Sequence, residues 1–85
     1  MKISYLHEFL LEFEALDKAV QRQLRKTLEE LYRTPDAQLS HQALKGQQFR
    51  GLFKLRVGDW RLIYRMHAGE LVFVTLGHRS EVYDL

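Results

Sequence analysis

The sequence of 85 residues contains no cysteine, one proline and five glycines. Without cysteine, neither a disulfide framework nor a thiolate zinc site can stabilise the chain. The scarcity of proline and glycine argues against a low-complexity linker. The longest apolar stretch, residues 71–76, is far shorter than the roughly 20 residues of a membrane span. The N-terminus lacks the apolar region of a signal peptide. We therefore expect one soluble, cytoplasmic domain over residues 1–85 that does not enter a membrane.

Hydrophobic residues make up 46% of the chain, which is enough for one modest core. In the first half they recur at helical spacing. One stripe comprises Leu6, Phe9, Leu10, Phe13 and Leu16, and a second comprises Val20, Leu24, Leu28 and Leu31. Asp17 is placed to cap a second helix from Lys18 to about Arg33, which Thr34-Pro35 would end. Ile3 and Tyr5 suit a short opening strand. This half predicts a strand followed by a helical hairpin.

After a connector over residues 34–48, the apolar period changes from 3.6 to 2. Alternating residues predict strands over 49–56 and 60–66, and residues 71–76 form a β-rich run. Gly58-Asp59 and Ala68-Gly69 mark the turns between them. Helices followed by strands indicate an α+β fold, with the helical hairpin packed on one face of a three- to four-stranded antiparallel sheet.

A turn at Gly58-Asp59 sets the register of the first two predicted strands, because Val57 then pairs with Trp60. Directly opposite residues share a face of the sheet. One face carries Gly51, Phe53, Leu55, Val57, Trp60, Leu62, Tyr64 and Met66. This apolar face must receive the helices. The other face carries Arg50, Leu52, Lys54, Arg56, Arg61, Ile63 and Arg65, and we expect it to be exposed.

Positive charge is concentrated in residues 45–65, which hold six Lys or Arg against Asp59 alone, a net charge of +5. Such a segment suggests an anionic partner, although a solvated charged sheet face is the ordinary alternative. The predicted register places Arg56 directly opposite Arg61, and like charges in that position repel. Because a local conflict of this kind is typical of functional sites, a binding role is favoured.

The third predicted strand allows two registers. A two-residue Ala68-Gly69 turn puts Val72, Val74 and Leu76 on the basic face, and a three-residue loop from His67 reverses this. In either register the strand leads into residues 77–83, which bring His78, Arg79 and Tyr83 next to the first two strands and their basic side chains. His78 suits acid–base chemistry and Arg79 suits phosphate binding.

Two segments, FKLRVGDWRLIY at 53–64 and GHRSEVY at 77–83, resemble the RelE/ParE toxin superfamily. Leu44-Lys45-Gly46 also resembles the family's segment before the strands, and the likeness extends over nearly the whole chain. The resemblance implies a compact α+β fold and the toxin of a toxin–antitoxin pair, with a cognate antitoxin as partner. RelE-like members cut mRNA in the ribosomal A site, whereas ParE-like members inhibit DNA gyrase without nuclease activity.

By the resemblance, Lys54 and Arg61 match basic residues that RelE-like enzymes use at the scissile phosphate. Tyr83 matches the family's C-terminal tyrosine, and Arg79 matches the arginine that precedes it. Some members carry a second lysine where this chain has Leu52. We therefore expect Lys54, Arg61, Arg79 and Tyr83 to be catalytic.

The expected reaction is attack of an RNA 2′-OH on its own phosphodiester, which requires proton transfer and charge stabilisation but no metal or cofactor. We expect further contacts with nucleic acid from Lys45, Arg50, Arg56, Arg65 and His78. The alternatives are a gyrase inhibitor without nuclease activity and a degenerate RNA-binding module.

Overall fold

The structure is a computed structural model that describes residues 1–82. The helices are α1 (His7–Glu14), α2 (Lys18–Arg33) and the short α3 (Arg79–Val82). The strands are β1 (Lys2–Tyr5), β2 (Gln42–Ala43), β3 (Leu52–Val57), β4 (Trp60–His67) and β5 (Glu70–His78). Short 3-10 turns occupy Asp36–Gln38 and Gln47–Phe49. Among the described residues, no helix is long and apolar enough to cross a membrane.

The predicted α+β class is confirmed, with a sheet of five strands in the order β1-β5-β4-β3-β2. β1 pairs in parallel with β5, and the other pairings are antiparallel. Parallel neighbours require a long connection, and here residues 6–69, which include the helical hairpin and strands β2, β3 and β4, lie between β1 and β5. The additional strand β2 lies in the predicted connector and is only two residues long, so it leaves no alternating pattern in the sequence.

The junction between α1 and α2 depends on a buried glutamine. Asp17 occupies the N-cap position of α2, as predicted, but its side chain makes no capping hydrogen bond. Instead, Gln21 Nε2 donates to the carbonyl oxygens of Phe13, Glu14 and Leu16 at 3.0–3.2 Å. The Phe13 carbonyl also accepts from the Leu16 N–H at 3.1 Å, so Gln21 adds a partner chiefly to the carbonyls of Glu14 and Leu16 at the end of α1. Gln21 therefore fixes the angle at which α2 leaves α1.

The core lies between the two long helices and one face of the sheet. Its buried members are Phe9, Leu24, Leu28, Val57, Leu62, Tyr64, Leu71, Phe73 and Leu76. Trp60 is half-buried and packs against this cluster, as predicted from its position in the register. The expectation that the opposite face is fully exposed is wrong for Ile63, which is only 1% exposed. Leu44 and Val72 are also buried outside the main cluster.

The two hairpin turns agree with the prediction. Val57 pairs with Trp60 across Gly58-Asp59, and Gly58 has φ +60°. His67 pairs with Glu70 across Ala68-Gly69, so the two-residue alternative for the second turn is the one observed. Both residues of that turn have positive φ, 51° for Ala68 and 77° for Gly69. This combination is typical of a type I′ hairpin.

A bulge in β5 corrects the predicted faces of the third strand. Tyr64 pairs with Phe73, but Ile63 pairs with Thr75, so Val74 is the extra residue. Leu71 and Phe73 therefore point into the core, as the two-residue turn requires. Beyond the bulge the alternation reverses, and Leu76 joins the core instead of the basic face. A bulge of this kind shifts side chains to the other face without changing the local composition.

Candidate functional site

The sheet face away from the helices carries the basic side chains, as the register predicted. Arg56 lies opposite Arg61, Lys54 opposite Ile63 and Leu52 opposite Arg65. Arg61 is therefore diagonal to Lys54, and diagonal neighbours on one face are about 7–8 Å apart at Cα. We call Lys54, Arg56, Arg61 and Arg65 the basic face.

Exposure divides the basic face into a centre and a rim. Lys54 and Arg61 are half-buried, whereas Arg56 and Arg65 are exposed. Side chains at the centre are held by their neighbours, and those at the rim remain free to follow an anionic partner. This places the two predicted catalytic cations where their positions are most restricted.

Two of the predicted nucleic-acid contacts lie beside the basic face and not on it. Arg50 is exposed, but it follows the 3-10 turn Gln47–Phe49 and precedes β3. The prediction that the strand begins at Phe49 is therefore wrong, because Gly51 has φ +82° and extended pairing begins only at Leu52. Lys45 is exposed after β2.

The guanidinium of Arg61 is anchored to the turn between β3 and β4. Its Nη1 donates to the carbonyl oxygens of Gly58 and Trp60, both at 3.2 Å. Across the sheet Arg61 faces Gly77 of β5, which has no side chain to cover it. The remaining N–H groups of the guanidinium are therefore available to a phosphate approaching this end of the sheet.

The same turn holds the end of β5 through Asp59. The Asp59 carbonyl oxygen accepts a hydrogen bond from the Arg79 N–H at 2.7 Å. The carboxylate lies 3.5 Å from Arg79 Nε and 4.0 Å from His78 Nε2. The Gly58-Asp59 turn therefore contacts both Arg61, through the Gly58 carbonyl, and Arg79, through the Asp59 carbonyl.

His78 lies at this end of the sheet but on the side that faces the helices. It pairs with Trp60, and the two rings meet edge to face with centroids 5.4 Å apart. Nδ1 of His78 accepts a hydrogen bond from the Ser80 N–H at 3.2 Å and lies 2.9 Å from Ser80 Oγ. Arg61 and Arg79 therefore both contact the Gly58-Asp59 turn, and His78 lies on the helix-facing side of the sheet next to them. Tyr83, the fourth predicted catalytic residue, lies outside the described residues.

Sequence reasoning missed the role of Asp59 and Ser80 in this arrangement. The Gly58-Asp59 pattern indicates only a turn, although Asp59 is the sole acid among residues 45–65. A single acid within a basic segment is the feature of the sequence that could have indicated a role for Asp59. Ser80 carried no signal, because its contact with His78 depends on the start of α3. Within residues 1–82, no three His, Asp or Glu side chains are grouped closely enough to share a metal ion.

Two other polar or open features lie away from the basic face. His41 Nδ1 is 2.8 Å from the hydroxyl of Tyr64, and burial raises the pKa of that phenol.

A groove of about 660 Å³ runs between β1, α1 and α2 and is lined by Tyr5, Leu10, Phe13, Arg25 and Tyr32, among others. Of the predicted site residues that the structure describes, none borders this groove.

Comparisons with known proteins agree with this fold. The family model described as the ParE toxin of type II toxin–antitoxin systems matches residues 3–83. A RelE-like toxin protein of Escherichia coli is 28% identical over 88 residues, covering 99% of this chain and 90% of the relative.

Solved structures with the same fold include toxins from bacteria and archaea. The isolated E. coli RelE toxin has a TM-score of 0.68 at 25% identity, covering 96% of this chain and 89% of that one. RelBE2 of Mycobacterium tuberculosis, a toxin–antitoxin complex, has a TM-score of 0.74 at 20% identity, with 93% and 91% covered. The RelB–RelE complex of Methanococcus jannaschii has a TM-score of 0.69 at 16% identity, with 94% of each chain covered.

Proposed function

The chain belongs to the ParE toxin family of type II toxin–antitoxin systems, within the RelE/ParE superfamily, and we propose that it is a cytoplasmic mRNA interferase. Its substrate is mRNA in the ribosomal A site, which it cuts as an endoribonuclease without a metal or cofactor. The observation that carries this proposal is the basic face, where half-buried Lys54 and Arg61 lie on one surface. The Gly58-Asp59 turn, which anchors Arg61, also binds the Arg79 N–H.

The reaction joins the 2′-oxygen of a ribose to its own phosphorus and breaks the bond to the 5′-oxygen of the next nucleotide. The products are a 2′,3′-cyclic phosphate and a 5′-hydroxyl. The 2′-OH must lose its proton, and the 5′-oxygen must gain one. Negative charge develops on the phosphate oxygens between these steps, and preorganised donors stabilise it.

We assign the roles from the positions of the side chains. Arg61, anchored at the turn, binds the phosphate oxygens through its free N–H groups. Lys54 either takes the 2′-OH proton or supplies positive charge beside the attacking oxygen. Arg79 stabilises the leaving 5′-oxygen while that oxygen takes a proton from water, and Tyr83 stacks on the exposed base or orients the nucleophile.

Substitution of the central cations tests this assignment. Arg61→Ala is expected to lower ribosome-dependent cleavage by about 10²–10³, the usual cost of an oxyanion-type donor. Lys54→Ala is expected to cost a comparable factor. Arg22→Ala, on an exposed position of α2, removes the same charge elsewhere and should leave cleavage unchanged. Folded variants at Lys54 and Arg61 that retain full activity would exclude this site.

The chemistry has its own test. A single 2′-deoxy nucleotide at the scissile position removes the proposed nucleophile, so cutting of A-site mRNA should stop at that position. Cleavage products from unmodified mRNA should carry a cyclic phosphate and a 5′-hydroxyl. Products with a 5′-phosphate would show that water, and not the 2′-OH, is the nucleophile.

A second candidate function is inhibition of DNA gyrase, and the match to the family model of ParE toxins favours it. The two functions are separated by assaying one preparation for cleavage of ribosome-bound mRNA and for inhibition of gyrase supercoiling. Inhibition without cleavage would replace the interferase proposal. Binding of RNA with neither effect would indicate a degenerate RNA-binding module.

We further propose a cognate antitoxin as partner, because two of the solved relatives are toxin–antitoxin complexes. An acidic or amphipathic segment of the antitoxin would neutralise the basic face and block access to it. Co-expression with the adjacent gene should restore growth and yield a complex that co-purifies. A toxin that is harmless at high expression, with nothing co-purifying, would contradict this proposal.

A further inference from the structure

The turn at Gly58-Asp59 contains a negatively charged side chain beside a surface that is proposed to bind a negatively charged substrate. Asp59 is the only acidic residue among residues 45–65. A carboxylate beside a phosphate-binding surface weakens the attraction for RNA. Its side chain is 62% exposed, so it is not needed to fill the core. A residue that opposes the surrounding charge in this way requires an explanation from its contacts.

Those contacts all lead to the end of β5. The carboxylate oxygens lie 3.5 Å from Arg79 Nε and 4.0 Å from His78 Nε2. The backbone adds the Arg79 N–H bond to the Asp59 carbonyl at 2.7 Å. One residue thus restrains the Arg79 main chain and faces its side chain, at the turn to which Arg61 is also anchored.

The orientation of His78 agrees with this arrangement. A backbone N–H can only donate, so the bond from Ser80 N–H identifies Nδ1 as the acceptor in the neutral ring. The ring proton is then on Nε2, which faces the Asp59 carboxylate. Trp60 meets the ring edge to face and limits its rotation. Ser80 therefore holds His78 through Nδ1, and the Asp59 carboxylate lies on the opposite side of the ring.

We propose that Asp59 is a positioning residue, which orients Arg79 relative to Arg61 so that both guanidinium groups address one phosphodiester. This inference rests on the proposed endoribonuclease function. Asp59 itself does not contact the substrate and acts through Arg79. An arginine side chain loses considerable rotamer freedom when it is fixed, and a neighbouring carboxylate that restricts it beforehand lowers that cost.

The test is Asp59→Asn, which keeps the shape of the turn and the backbone bond but removes the charge. We expect kcat for ribosome-dependent cleavage to fall about 10- to 100-fold, as for a misplaced catalytic group. KM should stay constant or fall, because the surface becomes more positive. An exposed pair contributes little to stability, so the melting temperature should remain near that of the wild type.

Two variants serve as controls. Asp36→Asn makes the same charge change in an exposed 3-10 turn of the connector, and it should leave kcat unchanged. Asp59→Glu restores the charge with a longer side chain and should recover part of the activity. An unchanged kcat in Asp59→Asn would overturn the proposal, as would an equal loss in Asp36→Asn.

Side-chain ¹⁵N NMR separates this inference from the function on which it rests. In the wild type we expect a protected Arg79 Nε–H and a proton on Nε2 of His78. In Asp59→Asn the Arg79 signal should lose its protection. If this change is seen while the wild type cuts no mRNA, Asp59 orders Arg79 but the proposed reaction is wrong. If Arg79 is unaffected, the positioning role is overturned whatever the activity.

Discussion

At the residue scale, Arg61 at the centre of the basic face and Arg56 at its rim form a cross-strand pair of like charges. Directly opposite side chains on one face are close neighbours, and such pairs destabilise a sheet. Arg61 relieves part of the repulsion by folding back onto the carbonyls of Gly58 and Trp60. Arg56 has no comparable anchor among the hydrogen bonds of the described residues and is exposed.

Arg56→Thr should therefore stabilise the protein. We expect a gain of about 0.2–1 kcal/mol in the free energy of unfolding, because the repulsion is removed. Arg65→Thr is the matched control, since Arg65 faces Leu52 and Val72 and has no cation opposite it. Urea unfolding at low salt should show the difference, and 1 M salt should reduce it by screening. Equal stability of the two variants at low salt would contradict the argument.

The register and the identity of the basic face could be predicted from single residues. Turn chemistry at Gly58-Asp59 fixes which residues are opposite, and alternation then assigns the faces. The direction of each long side chain could not be predicted. Whether Arg61 turns to the Gly58 carbonyl, or Asp59 to Arg79, depends on positions at the two ends of different strands. No local pattern in the sequence encodes those distances.

At the element scale, α1 secures the bulge of β5 with one carboxylate. Glu12 accepts hydrogen bonds from Thr75 Oγ1 at 2.7 and 2.9 Å and from the Leu76 N–H at 3.3 Å. β1 pairs only with residues 70–73 of β5, so the strand edge beyond Phe73 lacks a neighbouring strand there. In the sequence, Glu12 falls between the apolar positions of the first helical stripe, which indicates only a polar position on the helix. A side chain that satisfies a strand edge cannot be distinguished from a solvated one by helical spacing alone.

Removal of this carboxylate should destabilise the fold. Glu12→Ala leaves the Leu76 N–H and the Thr75 hydroxyl without their partner, at an expected cost of about 1–3 kcal/mol. Glu30→Ala, at an exposed position of α2, is the control and should cost far less. Hydrogen exchange provides the local measurement, since exchange of the Leu76 amide should accelerate in Glu12→Ala. Unchanged exchange at Leu76 would show that the bulge does not need Glu12.

The turn between β4 and β5 is strained at one residue. Ala68 has φ 51°, a left-handed conformation that costs about 1–2 kcal/mol for a residue with a β-carbon. Ala68→Asn creates Asn-Gly, the pair that type I′ turns prefer. We expect a gain of about 0.5–1 kcal/mol, seen as a higher melting temperature. Ala37→Asn, in the 3-10 turn of the connector, should give no such gain, and a lower melting temperature for Ala68→Asn would contradict the reasoning.

At the scale of the whole molecule, the two faces of the sheet differ in what they contact. Helices α1 and α2 cover one face and complete the core, and the opposite face presents the cations. The α+β class and this division could be predicted, because they depend on local periodicity. The parallel pairing of β1 with β5 could not, because it joins opposite ends of the chain, and β2 could not, because two residues leave no alternating pattern. Such pairings are decided by packing of the complete fold.

The separation of the basic face from the helices predicts how the proposed binding to nucleic acid responds to salt. Each phosphate neutralised by a Lys or Arg releases counterions, so the log of the binding constant falls with log salt, by about 0.7 per contact on a single strand. Arg56→Ala removes an exposed cation of the basic face and should reduce the slope for single-stranded RNA by roughly that amount.

Arg22→Ala changes the net charge equally on the helical side and should leave the slope unchanged. Titration of both variants and the wild type from low to moderate salt distinguishes a local electrostatic footprint from a general effect of net charge. Equal slopes for Arg56→Ala and Arg22→Ala would show that net charge alone attracts the RNA. A flat plot for the wild type would instead favour a protein partner bound through apolar contacts, as expected for the gyrase alternative.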